Sequence, residues 1–132
     1  MNNISYKRVR LLKLNFELNP SKEIKTPCNV TVGFNVKNNL DKEKRTLTTV
    51  LIGTLKTQTE PELFTLEVTV EGVFEGDNNE DLEKFSHVHA PAHLFPFIRE
   101  IIANTTMRAG IPPVLLPPVN LVATKISSET EK

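Results

Sequence analysis

Apolar and polar residues alternate along most of the first two-thirds of the chain. Val30, Val32, Phe34 and Val36 are separated by Asn29, Thr31, Gly33, Asn35 and Lys37, the two-residue period of a strand with one buried face. Phe64, Leu66, Val68, Val70 and Phe74 alternate in the same way with Thr65, Glu67, Thr69, Glu71 and Glu75. Between these two runs, residues 45–56 place Leu47, Leu51 and Leu55 on one face and Val50 and Ile52 on the other, which predicts a strand covered on both sides. The opening run, residues 5–17, is irregular. Leu12, Leu14 and Phe16 share a face that leads back to Arg10 and Arg8, while Val9 and Leu11 fall on the opposite one. A change of face near residues 11–12 predicts a β-bulge, or a strand that passes from core to subunit interface. Short polar connections at 38–44 and 57–61 suit antiparallel neighbours, and the longer 19–27 segment suits a crossing between non-adjacent strands.

The period then changes. Leu94, Ile98, Ile101, Ile102 and Thr105 recur at helical spacing from about Ala92 to Ala109, with Pro96 in the first turn and Gly110 as the stop. The acidic stretch 75–83 reads as a loop that closes the sheet, and residues 127–132 as a polar, frayed tail. The expected fold is α+β: a four-stranded antiparallel sheet with one long C-terminal helix packed on a face, in a single domain spanning residues 1–132. After the helix comes an arm of contrary character. Pro112, Pro113, Pro117 and Pro118 remove four backbone donors and exclude regular helix or central strand. Ile111, Val114, Leu115, Leu116 and Val119 are nonetheless large and apolar, so the arm must pack down or offer apolar surface to a partner.

A length of 132 residues with 39% hydrophobic and 24% charged residues fits one folded domain with a real core. No apolar run approaches the ~20 residues that span a bilayer, and the first residues have no apolar segment of a signal peptide. One cysteine, Cys28, excludes an internal disulfide framework and fits a reducing cytoplasm. The net charge is zero but unevenly spread: residues 1–58 hold eleven Lys/Arg against four Asp/Glu, and residues 59–132 hold five against twelve. Either this asymmetry steers a partner, or the basic and acidic parts pair within the fold or between copies. No phosphate-binding glycine loop, nucleophile elbow or paired-cysteine zinc motif is present. His87 and His89, two apart on a segment read as extended, would point the same way, and His93 could join them around a metal. Lys7, Arg8, Arg10 and Lys13, with Lys42, Lys44 and Arg45, form a basic patch that could bind phosphate backbones, but one Tyr, no Trp and a neutral chain argue against nucleic acid.

Within residues 94–120, Leu94-Phe95-Pro96, Arg99-Glu100, Arg108, Pro112, Leu116 and Pro118-Val119-Asn120 follow one another at fixed spacing. This pattern resembles the C-terminal region of the SecB protein-export chaperones. Gly72-Val73-Phe74 and Leu14-Asn15-Phe16-Glu17 resemble the ends of that family's last and first strands, so the likeness extends over most of residues 8–123. It implies a molecular chaperone, not an enzyme, that holds unfolded preproteins or other non-native polypeptides and passes them to the SecA motor. It implies a bacterial cytoplasmic protein, a homotetramer built as a dimer of dimers, and no nucleotide or other cofactor. By position, Phe74 and the arm residues Ile111, Val114, Leu115 and Leu116 are the expected client contacts, with no catalytic and no metal residues. Three departures bear on the export role. The chain is neutral where export members are acidic, Ala109 precedes Gly110, and only residues 121–132 follow Asn120. They keep open an alternative, a SecB-like chaperone dedicated to one client such as the antitoxin of a toxin–antitoxin system. A metal-dependent enzyme on the three histidines and a nucleic-acid adaptor are the competing classes.

Overall fold

The computed structural model describes residues 4–20, 30–58 and 63–116, together with the backbone of 127–131. Strands β1 (Ser5–Leu18), β2 (Val30–Asp41), β3 (Thr46–Thr57) and β4 (Phe64–Glu75) precede helices α1 (Asn79–His87) and α2 (His89–Arg108), and a short β5 (Ser127–Glu131) closes the order. The sheet runs β1-β4-β3-β2-β5. Its first four strands are antiparallel, as expected, and β1 and β2 are separated by β4 and β3, so the chain does cross between non-adjacent strands. Cys28 and the second proline pair, Pro117 and Pro118, lie outside the described residues.

In β4 the alternation is realised residue by residue: Phe64, Leu66, Val68, Val70 and Phe74 are buried, while the intervening Thr and Glu residues are not. Strand β1 explains its own irregular pattern. Its register against β4 slips at Lys7 and again at Leu12, each slip inserting one residue. Val9 and Leu11 then lie opposite Gly72 and Val70, and Leu14 and Phe16 lie opposite Val68 and Leu66. Two bulges thus bring apolar residues at odd spacing onto the α2 side, and send Arg8, Arg10 and Lys13 to the other.

Helix α2 lies over β4 and β3. Leu94, Ile98 and Ile102 are fully buried there, joined by Phe95 and Thr106. Two glycines admit the helix: a Cβ on Gly72 would meet Leu94 Cδ2 at 2.6 Å, and one on Gly53 would meet the Phe34 ring at 3.3 Å and Ile98 at 3.5 Å. Among the described residues strand β3 is covered on this face only. Val50 and Ile52, on the other face, are half-buried by their neighbours in the sheet, which corrects the expectation of two covered sides.

Three further expectations change. The acidic stretch after β4 is not all loop: Asn78 accepts a hydrogen bond from the Asp81 amide at 2.8 Å and starts α1, with Glu80 and Asp81 favourably placed in its first turn. Leu82 and Phe85 turn inward to a second core cluster with Leu47, Phe74 and Ala90. Helix α2 starts at His89, so Pro96 sits inside it rather than in its first turn, and the Ala92 carbonyl loses its usual amide donor. Finally, Ser127–Glu131 pairs in parallel with Asn35–Asn39 of β2, so these residues are a strand and not a frayed tail. An edge strand with unpaired amides and carbonyls readily takes such an addition.

Candidate functional site

The arm begins where α2 ends. Gly110 has φ 78, a left-handed conformation that glycine takes without strain, and the chain reverses there as the sequence predicts. Ile111 turns into the main core and is 7% exposed. Pro112 and Pro113 face solvent and carry no amide hydrogen. The next backbone donor, the Val114 amide, reaches the Thr106 hydroxyl oxygen at 2.9 Å. Thr106 is itself fully buried, and its hydroxyl donates back into the helix, toward the Ile102 carbonyl at 2.9 Å. Leu116 is 8% exposed in the core, and its carbonyl accepts from Arg99 Nε at 2.8 Å. The arm therefore runs back alongside α2, tied first to Thr106 and then to Arg99. Between the two ties stands Leu115, 76% exposed.

Of the five expected contact residues, the structure brings together Ile111, Val114, Leu115 and Leu116, and it separates Phe74. That ring is 1% exposed in the second cluster, stacked on Tyr6 at 5.0 Å between centroids and edge-on to Phe85 at 5.0 Å. Its position at the end of β4 puts it under α1, a helix absent from the sequence expectations. Ile111 and Leu116 form the floor that anchors the arm, Val114 packs against that floor, and Leu115 is the side chain on offer. Sequence reasoning does not single out Arg99 and Thr106 as the residues that hold the arm. In the sequence Arg99 stands out only as part of the SecB-like pattern. Thr106 gives one weak signal: a hydroxyl on the buried face of an apolar helix needs a partner.

The histidines do not converge. His87 ends α1 and His89 opens α2, so they do not share an extended segment. His89 and His93 instead stack on Phe85 at 5.7 and 5.6 Å. Among the described residues no group of three or more His, Cys, Asp or Glu is placed to hold a metal. The basic patch of β1 is paired within the fold: Lys7 with Glu75 at 3.1 Å, Arg10 with Glu71 at 2.8 Å, and Lys13 with Glu67 at 2.6 Å, with Arg8 3.9 Å from Glu71. Four basic residues of the N-terminal part thus meet three glutamates of the C-terminal part across one strand pair. A shallow depression of about 470 Å³ lies on the sheet face away from α2, among Asn15, Thr31, Thr54, Lys56, Thr65 and Glu67. Polar and apolar surface contribute about equally to its lining, and no arm residue takes part.

Two other apolar features are open. Strand β1 is the last of the sheet, and its edge away from β4 has no neighbour among the described residues. Along it Leu11 is 47% exposed, with Tyr6, Leu12 and Leu14 exposed beside it, because α2 lies mainly over β4 and β3. Phe97 and Met107 are exposed on α2.

The family model for preprotein translocase subunit SecB matches residues 3–129, almost the whole chain. The chain belongs to the SecB family. Among relatives, the protein-export protein SecB of Neisseria meningitidis serogroup C is 43% identical over 72 residues, covering 53% of this chain and 49% of that protein. The corresponding protein of Chromobacterium violaceum is 40% identical over 80 residues, covering 59% and 51%. This SecB-family chain therefore matches about half the length of these relatives. An uncharacterised protein of Methanocaldococcus jannaschii is 30% identical over 117 residues, covering 86% of this chain and 75% of that one. Among solved structures, the SecB-like chaperone of Mycobacterium tuberculosis, in complex with a ChAD peptide from the HigA1 antitoxin, superposes with a TM-score of 0.76 at 17% identity. The match covers 88% of this chain and 90% of that one, and establishes the SecB-like fold. No helix among the described residues is long and apolar enough to cross a membrane.

Proposed function

We propose that this chain is a SecB-type chaperone that binds unfolded polypeptides through its apolar arm and keeps them competent for export through SecA. The observation that carries the reading is Leu115, a large apolar side chain left 76% exposed on an arm whose neighbouring residues are fixed. A surface for non-native segments needs exposed apolar contacts of this kind held in place. Each contact is weak, and several copies in one assembly multiply them. The open β1 edge, with Leu11 and Leu14 exposed beside it, is where copies of the chain would pair into the dimers of a homotetramer. Work of this kind is binding without bond-making, so it calls for no cofactor, and its place is the cytoplasm, before clients cross a membrane.

Calorimetric titration with an aggregation-prone polypeptide tests this, once held unfolded and once folded. The expected result is binding to the unfolded form only, and Leu115→Ser should weaken it about tenfold, the cost of withdrawing one exposed leucine from a new apolar contact. No binding to the unfolded form would end the general-chaperone reading.

A second reading, a chaperone dedicated to one client such as an antitoxin, draws on the charge. Glu67, Glu71 and Glu75 are neutralised by β1, so the outer sheet face is not the acidic surface expected of an export partner. Titration with purified SecA separates the two: binding supports export, and its absence beside retained client binding supports the dedicated role.

A further inference from the structure

We propose that Thr106 and Arg99 are positioning residues for client capture: together they clamp the backbone on both sides of Leu115 and hold its side chain outward. The inference rests on the chaperone reading and adds to it the residues that organise the contact. Its basis is where the two hydrogen bonds fall. One takes the amide of the residue before Leu115 and the other the carbonyl of the residue after it, Val114 N to Thr106 Oγ1 at 2.9 Å and Arg99 Nε to Leu116 O at 2.8 Å. Neither bond comes from the arm itself. Pro112 and Pro113 cannot donate, so the arm has no regular backbone ladder, and its course is set by these two α2 side chains and by the buried Ile111 and Leu116.

The donor and acceptor chemistry is specific to these residue types. A threonine hydroxyl has one hydrogen and two lone pairs. The hydrogen is given to the helix, at the Ile102 carbonyl 2.9 Å away or the Ala103 carbonyl 3.2 Å away, which leaves a lone pair directed to the Val114 amide. Valine at 106 has the same shape and can do neither, while serine can do both. Arg99 presents a guanidinium whose charge strengthens its bond to a neutral carbonyl. A lysine would carry the charge without the planar fork. With both ties in place Leu115 loses little freedom when it meets a client, and so binds with less entropic cost than a loose arm would.

The test uses the full chain, Thr106→Val, Thr106→Ser and Arg99→Met, each alone and combined with Leu115→Ala. Client affinity is measured by calorimetry on a polypeptide kept unfolded by reduction and alkylation, and arm order by amide exchange at Val114. We expect faster exchange in Thr106→Val and about fivefold weaker client binding, recovery of both in Thr106→Ser, and a similar loss in Arg99→Met. In the Leu115→Ala background neither Thr106→Val nor Arg99→Met should weaken binding further, because they act through Leu115. A loss that persists in that background, or unchanged exchange at Val114, overturns the clamp and assigns the two residues to stability alone. Wild-type protein that binds client with Thr106→Val as its equal would sink the clamp and spare the chaperone. Wild-type protein that binds no unfolded chain sinks the chaperone reading and the clamp with it.

Discussion

Single residues decide how close α2 comes to the sheet and how its neighbours titrate. Gly72 has no room for a side chain, since Leu94 and the Phe74 ring occupy the space where a Cβ would sit. Leu94 is fully buried and has nowhere to retreat, so Gly72→Ala should cost roughly 1–3 kcal/mol, the usual penalty for overpacking, read as a shift in the denaturation midpoint. Leu116→Ser should also destabilise, by about 2–4 kcal/mol, because it removes a buried leucine and buries a hydroxyl. Leu115→Ser, on an exposed position, should leave stability within about 0.5 kcal/mol of wild type while it weakens client binding. The contrast between adjacent leucines would separate a packing role from a client-binding one. Tyr6 adds a pH signature: partial burial, with its ring stacked on Phe74, raises its phenol above the ordinary 10.0. The folded state then keeps its proton longer than the unfolded one, so stability is full below pH 10 and falls as pH rises beyond it. Tyr6→Phe should flatten that alkaline decline in a series of thermal melts.

At the scale of elements, α1 is the part that the sequence pattern conceals and whose role the structure makes plain. Gly76, Asp77, Asn78 and Asn79 are turn-forming residues, and they mask a nine-residue helix that follows at once. The legible sign was Asn78 three residues before Asp81, an acidic first turn and the Leu82/Phe85 spacing. Helix α1 closes the end of the sheet by two side-chain bonds, Asn38 Nδ2 to the Ser86 carbonyl at 3.3 Å and Asn79 Nδ2 to the Lys42 carbonyl at 3.0 Å. Removing its cap with Asn78→Ala should cost about 1 kcal/mol and be seen first as faster amide exchange in α1. The turn at Arg45 is tied to the same region: its φ is 50, and its guanidinium donates to the Asp77 carbonyl at 3.0 Å. β1 shows the opposite case, where an irregular pattern was itself the message. The change of face near residues 11–12 is the bulge at Leu12, and a second bulge at Lys7 completes the sorting of apolar from basic residues.

For the whole molecule, part of the charge asymmetry is met within the fold. Three ion pairs at 2.6–3.1 Å join β1 to β4, and each is partly exposed, so each is worth less than about 1 kcal/mol. Their larger effect is to neutralise the outer face of the sheet and thus to shape which partners it admits. Among the described residues the β1 edge away from β4 is left without a neighbour. If copies pair there, Leu11→Lys combined with Leu14→Glu should shift the protein toward smaller species in sedimentation velocity while the monomer fold, judged by circular dichroism, is retained. An unchanged sedimentation profile would place the contact between copies elsewhere.

Period, with the short polar connections, pointed to four antiparallel strands and a long helix, since alternation and helical spacing report directly which face is buried, and the prolines after Gly110 marked the arm. The motif in residues 94–120 carried the SecB resemblance for the same local reason: its residues lie close together in sequence. Contacts between distant segments were decided only by tertiary structure. Phe74 looks like a contact residue at a strand end until α1 and Tyr6 cover it. The arm residues look alike in sequence, five large apolar side chains among prolines, and nothing local distinguishes Leu115 from Leu116. Packing against α2 does so: it buries one, and through Thr106 and Arg99 it holds the other out, because a side chain's exposure depends on what lies opposite it and not on its own hydropathy.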